Sequence, residues 1–84
     1  MVKPYTDHGE FRTFSDSVNA DELLWHWDLE DRTIKPTEST DWKFQFDNKR
    51  AFVLGQQEIF IRAGEWHRLI KGTGDLVIHI TRHR

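Results

Sequence analysis

The sequence predicts an all-β domain, and three observations predict it. Apolar residues recur with period two in short runs, which is the spacing of a strand with one buried face. Those runs are separated by clusters of turn-forming residues. No repeat, low-complexity tract or linker divides the 84 residues, so one small domain is expected over 1–84.

Taken in order, the expected strands are "EFRTF" (10–14), "ELLWHWD" (22–28), "DRTIK" (31–35), "DWKFQFD" (41–47), "RAFVL" (50–54), "EIFIR" (58–62), "WHRLI" (66–70) and "DLVIHITR" (75–82). Eight short strands make a barrel or a sandwich. Trp42, Phe44 and Phe46 alternate with Lys43, Gln45 and Asp47, so the aromatic set faces the core, which Phe52, Ile59, Ile61 and Leu69 complete. "PTEST" around Pro36, "DNK" at 47–49 and "KGTGD" at 71–75 supply turns. "KGTG" lacks the full phosphate-loop pattern and reads as a hairpin turn between two strands. "SVNADELL" (17–24) has room for one helical turn.

Composition narrows the function classes. A chain this short builds a core only just sufficient for folding, and association or a bound metal would add to it. It has no cysteine, so any metal site must use histidine and carboxylate, and the composition suits a reducing cytoplasm. The formal charge of −2, with acids and bases interspersed, gives no field for nucleic acid. "RHR" at the C-terminus reads as a solvated end. No apolar run has the length of a membrane span and "MVKPYTDHGE" lacks a signal-peptide core, so a cytoplasmic protein that engages neither membrane nor nucleic acid is expected.

The run "WHWDLEDR" (25–32) carries the functional question. On a strand, Leu24, His26, Asp28 and Glu30 share one face, and Trp25, Trp27 and Leu29 share the other. One reading buries the indoles, which removes a large apolar area from water, and leaves the histidine and acids outside. The other turns His26 and Asp28 inward. A buried carboxylate then needs a partner, and a divalent ion is one. His-x-Asp joined by a distant histidine is the donor set of a facial two-histidine, one-carboxylate site.

The segment "LGQQEIFIRAGEWHRLIKGTGDLVIHI" from Leu54 resembles the second motif of the cupin superfamily: a glycine (Gly55), a short strand, a turn ("RAGEWH", 62–67) ending in a histidine, then a closing strand. Gly64 suits such a turn because glycine tolerates the backbone angles that swing the histidine inward. Counting the earlier strands, the resemblance covers residues 20–82 and implies a small antiparallel β-barrel or jelly roll. It places His67 at the family's metal-binding histidine and His26 at the first histidine of motif one. Asp28 stands in place of the second histidine, Arg32 and Thr33 stand where the glutamate would be, and Arg62 replaces the turn proline. "WHWDLEDR" is also similar to the motif of small stand-alone cupin-like proteins of phages and bacteria.

The resemblance thus implies a divalent metal (Fe, Mn, Ni or Zn) on His26, Asp28 and His67, with Glu30 as a further ligand by strand parity. Arg32 either pairs with the neighbouring acids or holds a substrate carboxylate through two parallel hydrogen bonds. Arg68 is expected in solvent. His79 is exposed if Leu76, Ile78 and Ile80 face the core, and joins the substrate site if Val77, His79 and Thr81 do. His8 and His83 lie near the ends. Two function classes follow: a metal-dependent oxygenase or isomerase acting on a small molecule, or a non-catalytic, metal-free protein that binds a small sugar or acid ligand or serves a structural role. The outward Trp25, Trp27 and Leu29 predict a homodimer.

Overall fold

Alternation in the sequence becomes alternation in burial. In the C-terminal strand Leu76–His83, Leu76, Ile78 and Ile80 are buried while Val77, His79 and Thr81 are half-buried on the other side. A computed structural model describes residues 3–83. Its elements are β1 (Thr6–His8), β2 (Phe11–Phe14), a 3-10 turn (Ala20–Glu22), β3 (Asp31–Pro36), β4 (Thr40–Phe46), β5 (Phe52–Gly55), β6 (Ile59–Ile61), β7 (His67–Ile70) and β8 (Leu76–His83). They form a five-stranded sheet in the order β1-β2-β8-β3-β6 and a three-stranded sheet in the order β5-β4-β7, with antiparallel pairing throughout. The architecture is a two-sheet jelly roll, and the barrel is not closed by strand pairing.

The core fills the space between the sheets. Phe14, Ile34, Ile59, Ile61, Leu76, Ile78 and Ile80 come from the larger sheet, and Trp42, Phe44, Leu54 and Leu69 from the smaller. Trp42 is fully enclosed, and its indole N–H donates to the Gly74 carbonyl at 3.0 Å, so burial leaves its one polar atom satisfied. Phe46 and Phe52 lie half-buried against this cluster.

Three expectations need correction. Residues 22–28 are not a strand. Asn19 caps the 3-10 turn through Asp21 N, the Leu23 N–H returns to Ala20 O, and the Asp28 carbonyl is taken by Gly64 N. Between these anchors a single bridge pairs His26 with His67, so a ladder cannot propagate. In its place the N-terminus supplies β1, which forms a hairpin with β2 through Gly9 at φ +62°. The turn at 71–75 joins β7 of one sheet to β8 of the other, so it is a crossover between sheets and not a hairpin. At the C-terminus, Arg82 belongs to β8 and its Nε lies 3.6 Å from Glu30, which is no solvated tail; Arg84 lies outside the described residues.

Candidate metal centre

His67 owes its position to the turn before it. Gly64 adopts φ +78°, the Glu65 N–H bonds to Arg62 O, and the turn is docked by Gly64 N to Asp28 O (2.9 Å) and Ala63 N to Asp31 Oδ1 (2.8 Å). β7 then begins at His67, paired on one side with Phe46. On its other side His67 exchanges two backbone hydrogen bonds with His26, at 2.9 and 3.0 Å. That bridge faces the two imidazoles, whose ring centres are 4.2 Å apart, edge to face. His67 also stacks on Phe44 at 5.5 Å.

Both rings have a fixed tautomer. His67 Nδ1 lies 2.8 Å from Glu65 O and His26 Nδ1 lies 3.2 Å from Leu24 O. A carbonyl only accepts, so each Nδ1 carries the hydrogen, and in the neutral ring Nε2 is the nitrogen that keeps a lone pair. Asp28 completes the group: its Oδ2 is 3.5 Å from His67 Nε2, and its Oδ1 is 3.3 Å from an Arg32 terminal nitrogen. One ligand atom from each of His26, Asp28 and His67 lies within 4.8 Å of the others. Burial holds the His67 imidazole below the ordinary histidine range, against the opposing pull of the Glu65 carbonyl, and so favours the neutral, lone-pair form. The donor set therefore fits a divalent ion: two imidazole Nε2 atoms, each with its ring oriented from behind, and one carboxylate oxygen.

These side chains stand at the mouth of a cavity of about 350 Å³ between the sheets. Its lining is largely apolar, from Phe14, Ile34, Phe44, Ile61, Leu69, Ile78 and Ile80, and includes the charged side chains of Arg12, Glu22 and Arg32. Arg32 lies 3.5 Å from Glu30 as well as beside Asp28. Glu30 is drawn away from the histidines, between Arg32 and Arg82. His79 sits on the outer side of β8, near Glu10 (3.7 Å) and against the Phe11 ring, and does not line the cavity. Of the two registers open from sequence, Leu76, Ile78 and Ile80 are the set that faces the core. Thr33 Oγ1 holds His83 Nε2 at 2.7 Å, and His8 is exposed in β1.

Trp25 and Trp27 lie outward, 38% and 47% exposed, so the indoles are not buried; His26 is exposed too, while Asp28 is half-buried and His67 buried. Burial energy did not decide the register because the chain here is pinned by the His26 bridge. Arg68 is not free in solvent: its guanidinium lies over the Trp25 ring at 4.7 Å, and its Nε donates to Gln45 Oε1. Two contributions escaped sequence reasoning. Asp31 secures the turn that presents His67. The β1–β2 hairpin walls the cavity through Tyr5 and Arg12, the latter bonded to Asp7 at 2.7 Å and stacked on Tyr5 at 3.7 Å. "DHGEFR", a glycine turn flanked by opposite charges, was the available signal.

No protein-family model matches the sequence, and no curated protein matches it. Solved structures do. A chain from crystal structures of the DMSP lyases RdDddP and RnDddQII superposes with TM-score 0.73 at 15% identity, over 88% of this chain and 36% of that one. FeII HppE gives 0.67 at 13% identity, over 87% and 40%. A protein from Neisseria meningitidis gives 0.57 at 14% identity, over 94% and 80%. This chain therefore spans well under half the length of the first two. No helix of the described residues is long and apolar enough to cross a membrane. The two antiparallel sheets, the turn that delivers His67 and the cupin-fold neighbours agree, and the fold of this chain is that of the cupin superfamily.

Proposed function

We propose that this protein binds one divalent metal ion, iron, manganese, nickel or zinc, through His26 Nε2, His67 Nε2 and an Asp28 oxygen, and uses it on a small molecule held in the adjoining cavity. The observation that carries this reading is the convergence of three donors: both imidazoles give their Nδ1 hydrogen to a backbone carbonyl, and one ligand atom from each of His26, Asp28 and His67 lies within 4.8 Å of the others. HppE, a neighbour in fold, is an iron(II) protein in its crystal structure.

A divalent ion held there supplies Lewis-acid polarisation of a ligand oxygen and, for iron or manganese, redox chemistry with dioxygen, so the reaction class is an oxygenase or isomerase. The chain's own residues do the rest. Asp28 is oriented by Arg32, the apolar cavity walls exclude water from the ligand body, and His67 is held neutral by burial. The cysteine-free sequence fits a cytoplasmic residence, which is part of the proposal.

A second reading, a metal-free small-molecule binder, rests on the cavity itself, whose volume lies at the lower end of ligand sites, which run from about 300 to about 1,000 Å³. Elemental analysis of untagged protein after dialysis without chelator separates the two. Near-stoichiometric metal, absent from His26→Ala and His67→Ala, is the expected result. Folded protein that carries none and takes up none of the four metals transfers the cavity to the second reading.

A further inference from the structure

We propose that Arg32 receives the carboxylate of the molecule that occupies the cavity, and that this molecule is a small carboxylic acid with an apolar body. The inference deepens the metal reading and rests on it for its charge argument.

Arg32 stands in the cavity wall with its side chain 15% exposed. Its terminal nitrogens lie 3.3 Å from Asp28 Oδ1 and 3.5 Å from Glu30 Oε2, both longer than the 2.7–2.9 Å or so of a charge-assisted hydrogen bond. Its Nε is closed off from solvent and has no acceptor among the described residues. A buried guanidinium normally has its donors matched, so Arg32 is under-satisfied, and its loosely paired terminal nitrogens are the donors suited to a further planar acceptor.

Charge points the same way. Asp28 and Glu30 contribute two negative charges, and Arg32 and Arg82, which pair with them, contribute two positive. This network is balanced. A divalent ion on His26, Asp28 and His67 leaves the mouth with an excess of positive charge, which an anionic ligand group offsets. Behind that mouth the walls are Phe14, Ile34, Ile61, Leu69 and Ile78, which give an anion nothing and an alkyl or aryl body a place to bury.

The test uses hexanoate and its neutral counterpart hexanamide, titrated calorimetrically into the zinc-loaded protein, with metal content measured on the same samples. Hexanoate is expected to bind at least tenfold more tightly than hexanamide. The preference should vanish in Arg32→Met and shrink in Arg32→Lys, each compared with the wild-type protein at equal measured zinc content. Equal binding of the two probes to the wild-type protein overturns the proposal, and this arm needs no variant to fold. A preference that survives in Arg32→Met but disappears in His67→Ala also overturns it, because the metal then holds the carboxylate. If the wild-type protein takes up no zinc, the metal reading fails separately, and the metal-free protein decides: a hexanoate preference removed by Arg32→Met supports the arginine site, and its absence overturns it.

Discussion

Removal of the metal should lower the melting temperature by an amount that the size of the domain sets. Free ion at one hundred times its dissociation constant stabilises the folded state by about 2.7 kcal/mol, provided the unfolded chain does not bind it. His67 lies about forty residues from His26 and Asp28 in sequence, so the unfolded chain does not hold the three donors together. With 84 residues and about 2.1 cal/mol/K of unfolding entropy per residue, the melting entropy is near ~180 cal/mol/K, and the expected shift is about 15 °C. Scanning calorimetry or thermal circular dichroism with zinc, and again with chelator, reads it. His67→Ala and Asp28→Asn should each lose most of the shift, each compared with its own metal-free form so that altered packing against Phe44 cancels. A wild-type shift below about 2 °C at saturating zinc, or one of equal size in His67→Ala, would refute the reasoning.

Three other outcomes are expected. In metal-free protein the folded His67 titrates below its unfolded value of 6.5 because of burial. The unfolded chain therefore binds the extra proton first, and stability is complete above that value and falls as pH drops through it toward the folded one. Urea midpoints between about pH 8 and about pH 5 should show this slope reduced in His67→Gln, and identical slopes would count against it. Trp42→Ala empties the centre of the core and leaves the Gly74 carbonyl unpaired, at a cost of about 3–5 kcal/mol in urea unfolding; a loss under about 1 kcal/mol would contradict the packing described. Finally, we propose a homodimer through the outer face that carries Trp25, Trp27 and Leu29, the last 86% exposed. Sedimentation should give a dimer that Trp27→Ser with Leu29→Ser dissociates, and a monomer at micromolar concentration in the wild-type protein removes the idea.

Seven of the eight strands were legible because their alternation matches a sheet with one buried face: "DLVIHITR" became β8 and "DWKFQFD" became β4 with little change of bounds. The exception lay at the site. "ELLWHWD" alternates as well as any strand, yet no local rule shows that a turn as distant as Gly64 will claim the Asp28 carbonyl or that one bridge will fix His26. Parity within that run still placed His26 and Asp28 together, since bridge geometry keeps neighbours on opposite sides even where no ladder forms. The same parity failed for Glu30, where the bend at 29–30 takes its carboxylate to Arg32 and Arg82. Asp31, whose role is to receive the Ala63 N–H, was invisible because its partner lies far along the chain.

Two of the three donors ride on residues 23–30, which are tied to the rest of the protein by the His26–His67 bridge and the Asp28 carbonyl, whereas β3 is paired along both edges. Amides in that stretch should exchange with solvent through local opening, well before those of β3 and β8. An ion joining His26 and Asp28 to His67 closes a loop of roughly forty residues by a reversible cross-link, and so tethers a stretch outside the sheets to a sheet edge. Susceptibility of this stretch to a protease then becomes a gauge of loading: the same molecule, nicked when empty and intact when filled, reports its metal without any knowledge of its substrate.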